Sequence, residues 1–222
     1  MAVPQHQLIF TEEQYLEFER HAEIRHEYLD GHIYAMACES DEHGDISVNL
    51  TITLGAQLKG TNCRARTKDT KVRSGPFPFL KRSLKGLYSY PDLLVICGDP
   101  QHLDEHRDVI INPKVIIEVL SDSTEDFDRK EKFARYRQWN PTLTDYLLVS
   151  QDMAFVEHFE LRKGEWIYHT YLTLKQSVPI KSIKCTLQMR DVYDRVKFPE
   201  PENEVDEAEN LKLVGNKSRR KK

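Results

Sequence analysis

Several absences bound this chain before anything present is considered. It has four cysteines, Cys38, Cys63, Cys97 and Cys185, and no two of them make a CxxC pair, which argues against a structural zinc site. Cys97 lies in an apolar run and is expected as a reduced core thiol. No apolar stretch reaches the ~18–20 residues of a membrane span. The first residues, MAVPQHQLIF, lack the basic stretch and apolar run of a secretory signal. There is no glycine-rich phosphate loop, no G-x-S-x-G elbow and no internal repeat. These absences point to a cytoplasmic protein with no membrane partner.

What is present suits an ordinary globular domain. The chain has 222 residues, 39% hydrophobic and 9% aromatic, enough for one α/β domain with a core. The net charge of −4 names no partner, but its distribution is uneven. Residues 1–50 hold eleven acids against Arg20 and Arg25, whereas residues 59–85 hold nine Lys/Arg against Asp69. Arg64, Arg66, Lys68, Lys71 and Arg73 are the candidate contacts for a polyanion. A solvated basic hairpin explains the same segment without a partner. From residue 199 the composition turns acidic and then ends on Lys217-Ser-Arg-Arg-Lys-Lys222, so a domain over 1–198 and a disordered tail over 199–222 are expected.

Local patterns place the elements. Thr11-Glu-Glu-Gln14 is a capping box and predicts a helix over about 12–22. Two short strands should meet at Asp30-Gly31. Residues 40–59 are ambiguous. Ile46, Val48, Leu50, Ile52 and Leu54 alternate like a strand, yet Ile46, Leu50, Leu54 and Leu58 fall on one helical stripe behind the caps Ser40 and Asp41. A basic pair of strands follows over 64–73, then a loop at Ser74-Gly-Pro-Phe-Pro. Pro91-Asp92-Leu-Leu-Val-Ile-Cys97 and Val115 to Leu120 read as buried strands, with a polar loop over 98–112, ending at Pro113, between them. A charged helix over about 125–139, a strand over 145–150, a hairpin turning at Lys163-Gly164 and a closing helix over 187–196 complete the chain.

Chemistry concentrates where acids interrupt apolar strands. Asp92 opens one buried strand and Glu118 breaks the other, and a buried carboxylate is costly unless it is neutralised. Two carboxylates together make a hard-oxygen site for Mg²⁺ or Mn²⁺, to which the Val119 backbone carbonyl could add a ligand. Lys132, in the helix after the Glu118 strand, could supply the cation that a phosphodiester needs. Arg129 and Tyr136 stand at i−3 and i+4 from it and share its face. Simpler roles exist for each: Asp92 as a turn cap, Glu118 as the partner of a structural arginine, Lys132 as the i,i+4 partner of Asp128. His102-Leu-Asp-Glu-His106 matches the H-x-x-E-H zinc pattern, but it lies in a polar loop with no apolar context for a helix, so a zinc hydrolase is the weakest option.

An acid after proline and then a glutamate in an apolar strand form the PD-(D/E)xK nuclease pattern, except that Leu120 stands where the lysine belongs. The stretches HEYLDGHIYAM, His43 ahead of a long apolar segment, YPDLLVIC, PKVIIEVLSDST and DRKEKFARY resemble the Uma family of restriction-type endonucleases over about residues 10–196. That resemblance implies an α/β fold (α+β mixed sheet): a restriction-endonuclease-like core with a central mixed sheet flanked by helices. It implies that Asp92 and Glu118 are the metal-binding acids and that the lysine has moved to Lys132. It singles out Glu27 and His43 as supporting residues, and it makes 40–59 a helix. The expected function is Mg²⁺- or Mn²⁺-dependent cleavage of DNA, with a homodimer serving both strands. The alternative is a catalytically inactive nucleic-acid-binding module of the same fold.

Overall fold

The computed structural model describes residues 9–199 apart from 78, 80, 81 and 122. The tail expected from 199 onward therefore falls outside the described residues from 200. Helix α1 (Glu12–Glu19) opens the chain, with Thr11 and Gln14 exchanging the two bonds of a capping box. Strands β1 (His26–Leu29) and β2 (His32–Ala35) form a hairpin whose turn, Asp30-Gly31, has positive φ at both residues, the geometry of a type I′ turn.

Helix α2 (Asp41–Leu58) resolves the ambiguity of 40–59 in favour of helix. Ser40 caps it by accepting from the His43 amide. The helical stripe Ile46, Leu50, Leu54 and Leu58 is buried, while Val48 and Ile52, which produced the strand-like alternation, face solvent. Each buried aliphatic residue of that stripe contributes roughly 1.5–3 kcal/mol, so the stripe outweighs the propensity of its β-branched neighbours.

Strands β3 (Cys63–Thr67) and β4 (Lys71–Ser74) follow, then β5 (Leu87–Ser89), β6 (Leu93–Cys97), β7 (Val109–Ile110) and β8 (Val115–Leu120). Next come α3 (Glu125–Phe127), a π-helical turn (Asp128–Lys132) and α4 (Phe133–Trp139), then β9 (Asp145–Ser150), β10 (Val156–Arg162) and β11 (Glu165–Tyr171). A hairpin of β12 (Ser177–Ile180) and β13 (Cys185–Gln188) and a short α5 (Met189–Val192) close the described chain.

The strands build one six-stranded sheet, β11-β10-β9-β8-β6-β3, and one five-stranded sheet, β2-β1-β5-β4-β7. Both are mixed: β8 and β9 run parallel, as do β4 and β7, among antiparallel neighbours. One face of the six-stranded sheet packs on α2, α5 and the β12–β13 hairpin. Its other face meets α4 and residues of β4, β5 and β7. Helix α1 covers the five-stranded sheet through Tyr15, Leu16, Tyr28 and Tyr88.

Four expectations are corrected. The basic strands β3 and β4 do not pair with each other but belong to different sheets, because β3 takes β6 and β4 takes β5. Residues 187–188 are strand rather than helix, since Leu187 pairs with Val178. The loop over 98–112 contains a short strand, β7, and His102 forms a bridge to Ile110. Cys97 is not a free thiol: it stands directly opposite Cys63 on the adjacent strand, and the two close a disulfide.

Candidate functional site

The chain passes from the five-stranded to the six-stranded sheet at Tyr90-Pro91-Asp92, between β5 and β6. The predicted residues gather at this crossing. Asp92 is anchored by both oxygens. Oδ2 accepts from the Val119 amide at 2.7 Å, and Oδ1 lies 2.9 Å from His43 Nε2. The Val119 amide thus faces Asp92, and strand geometry turns the carbonyl of the same residue, the candidate ligand, to the same edge of β8. His43 sits in the first turn of α2 and is nearly buried. Burial alone would lower its pKa, but the hydrogen bond and charge of Asp92 outweigh that and raise it.

Glu118 lies in mid-strand on β8. Val115, Ile117 and Val119 pack into the α2 side of the sheet, and Ile116 and Leu120 into the α4 side. Strand alternation puts Glu118 on the α4 side, where Tyr136 on α4 donates to its Oε1 at 3.1 Å. Ser89 on β5 is 2.7 Å from the same tyrosine hydroxyl, so a buried chain Ser89–Tyr136–Glu118 links the two sheets. Burial pushes the Glu118 carboxyl well above the usual glutamate range, and Lys132 only partly counters it.

Lys132 makes its expected i,i+4 pair and also reaches two further acids. Its Nζ is 2.9 Å from Asp128 Oδ1, the i,i+4 partner, and also 3.1 Å from Glu27 Oε1 and 3.6 Å from Glu118 Oε1. Glu27, on β1, also accepts from the Tyr90 amide at 3.2 Å. Burial lowers the lysine's pKa, but the three carboxylates more than reverse this and hold it up.

The π-helical turn explains this placement. The carbonyl of Asp128 accepts from the Tyr146 hydroxyl at 3.0 Å, a side-chain intrusion of the kind that accompanies such turns. The wider turn changes the helical phase on its N-terminal side. Tyr136 keeps the face of Lys132, but Arg129 leaves it and pairs with Glu125 at 2.7 Å and with Glu157 on β10. Arg129 is therefore not a neighbour of the acids.

The nucleic-acid candidates also divide. Arg64 and Arg66 are exposed on β3, the edge of the six-stranded sheet. Lys68 is paired with Glu39. Lys71 and Arg73 are buried and cannot form part of a basic surface. Lys71 lies 3.6 Å from Asp108 beside the rings of Tyr15 and Tyr90, and Arg73 pairs with Glu12 at 2.6 Å. Strand position rather than charge decides this, because β4 is an interior strand.

Three participants were missed in the sequence: Ser89, Asp128 as a member of the cluster, and Glu39. Ser89 lies in a three-residue strand with little pattern of its own. The signal for Glu39 was an acid immediately before the α2 cap and four residues before His43.

Taken together, Glu27, Asp92, Glu118 and Asp128 face Lys132 and His43, so acids exceed bases in a largely buried space. Such a surplus suits a hard divalent cation. A mixed α/β fold carrying an acid-rich site with one lysine is the architecture of a restriction-endonuclease-like protein. The chain belongs to the Uma2 family, described as "Putative restriction endonuclease", whose model matches residues 12–190. The Synechocystis sp. (strain ATCC 27184 / PCC 6803 / Kazusa) protein "Uncharacterized protein slr1290" is 33% identical over 187 residues, covering 84% of this chain and 92% of that one. A second protein of that organism, "Uncharacterized protein sll1609", is 32% identical over 152 residues, covering 68% and 81%. The fold is also that of the crystal structure titled as "a putative nuclease belonging to DUF820 from Anabaena variabilis ATCC 29413". The TM-score is 0.66 at 16% identity, covering 85% of this chain and 99% of that one. Among the described residues, no helix is long and apolar enough to cross a membrane.

Proposed function

We propose that this protein is a cytoplasmic, divalent-cation-dependent endonuclease that hydrolyses DNA phosphodiester bonds at Asp92, Glu118 and Lys132. The observation that carries the reading is that Lys132, fourteen residues after Glu118, nevertheless reaches 3.6 Å from its carboxylate inside an acid-rich cluster. Held by Asp92 and Glu118, Mg²⁺ or Mn²⁺ would supply a water of lowered pKa as nucleophile. The Val119 amide and His43 fix the direction of Asp92, and Tyr136 fixes that of Glu118. Lys132 keeps a positive charge where negative charge develops on the phosphoryl oxygens. Arg64 and Arg66, on the edge strand, would meet the phosphate backbone, and a second copy would serve the other strand.

One observation favours the second reading, a nucleic-acid-binding module without catalysis: Asp92 is turned toward His43, and Glu118 is engaged by Tyr136 and Lys132. Nicking of supercoiled plasmid with Mn²⁺ separates the two. The endonuclease reading expects nicking that falls about 100-fold or more in Lys132→Met and Glu118→Gln. Retarded but uncut plasmid with the unmodified protein would favour the binding module.

A further inference from the structure

A second set of ligand-bearing side chains stands beside the site, using Asp92 but not Glu118. Glu39 precedes the α2 cap, His43 lies in the first turn of α2, and Asp92 precedes β6. Each offers one ligand atom, and these three atoms lie within 4.8 Å of one another. Glu39 is exposed, so the set is reached from solvent. The Lys68 ammonium pairs with Glu39, and a hydrogen bond joins His43 Nε2 to Asp92 Oδ1. A divalent cation could replace both. Asp41 and Glu42, in the same turn of α2, add negative charge nearby.

We propose that Glu39, His43 and Asp92 form a second cation position that takes a first-row transition ion such as Mn²⁺ in preference to Mg²⁺. An imidazole nitrogen with two carboxylates suits Mn²⁺ or Zn²⁺, whereas Mg²⁺ prefers oxygen donors and keeps several waters. This deepens the nuclease reading, on which it rests for its link to catalysis, because Asp92 would be shared by both positions. The binding itself does not need Glu118. The Lys68 ammonium is a built-in competitor for Glu39, so removing it and removing Glu39 should act in opposite directions.

The test is Mn²⁺ titration of the full chain followed by electron paramagnetic resonance, with pulsed measurement of nitrogen coupling. Circular dichroism checks that each variant is folded. The expected result is bound Mn²⁺ coupled to an imidazole nitrogen, with the coupling lost in His43→Asn. Glu39→Gln should weaken this binding about tenfold or more. Lys68→Met should tighten it, and Glu118→Gln should leave the nitrogen-coupled ion in place. Absence of nitrogen coupling, unchanged affinity in folded Glu39→Gln, or weaker binding in Lys68→Met would overturn the proposal. Mn²⁺ bound only through Glu118 in a nicking-competent protein would sink this second position and leave the nuclease reading intact. Nitrogen-coupled Mn²⁺ in a protein that never nicks DNA would do the reverse.

Discussion

Two buried charge clusters in this molecule look alike at first and differ in balance. In the first, Arg73 on β4 pairs with Glu12 on α1 through two contacts, at 2.6 and 3.1 Å, and Tyr88 donates to the same carboxylate at 2.7 Å. Two further guanidinium bonds reach the carbonyls of Gly75 and Pro76. Charge and hydrogen bonds there close on themselves. In the second, Lys132 faces Glu27, Asp128 and Glu118 with Asp92 close by, and Asp128 Oδ1 meets the ammonium as an ion pair without an aligned hydrogen bond. A closed pair ties elements together. A cluster with surplus acid holds its residues ready for a cation or a proton.

The largest effect expected from this contrast is on stability at the closed pair. Arg73→Met leaves Glu12 buried and unpaired and is expected to cost about 3–5 kcal/mol by chemical denaturation. Glu118→Gln, which replaces one buried acid with a neutral amide, is expected to leave stability unchanged or higher. A cost at Glu118 equal to that at Arg73 would erase the distinction between the clusters.

The pH dependence of stability sharpens the same contrast. The folded state raises the Glu118 pKa above its ordinary value of 4.5, so it retains a proton that the unfolded chain has released. This contribution is fully present below pH 4.5 and is lost as pH rises through the raised folded value. Metal-free protein is therefore expected to lose stability with rising pH over that window, and Glu118→Gln to flatten the loss. Thermal melts across pH read this directly.

Smaller effects follow at the edges of the cluster. Tyr136→Phe removes the hydroxyl between Ser89 and Glu118 and is expected to cost about 1–3 kcal/mol. It should lower the nicking rate by less than Lys132→Met does. Least of all, Arg64→Ala and Arg66→Ala should each weaken DNA binding uniformly across sequences and reduce the salt slope by about one. A sequence-selective loss would mean that these arginines read bases.

Much of the frame was legible because its signals are local. The capping box at Thr11, the Asp30-Gly31 turn and the apolar runs around Asp92 and Glu118 each depend on neighbours in sequence. So does the pairing of Asp128 with Lys132. What could not be read depends on distant contacts. The strand-like alternation in α2 was overruled by which residues the sheet buried, leaving Val48 and Ile52 outside. The fate of the basic segment depended on strand order, which separates exposed Arg64 from buried Arg73. Arg129 was misplaced because an ideal helical phase was assumed, and the π-helical turn depends on Tyr146, a residue on another strand. The disulfide needed the β3–β6 register.

That π-helical turn has a consequence for how such chains vary. The lysine is set by how the helix lies over the sheet, not by a count of residues along a strand. The short connection between Leu120 and Glu125 can therefore lengthen or shorten without moving the ammonium, provided α4 keeps its seat on Tyr146 and Phe159. Deleting one residue within Asp128–Lys132 is the more damaging change. It removes the extra residue that the wide turn accommodates and alters the Asp128–Lys132 spacing on which their ion pair rests.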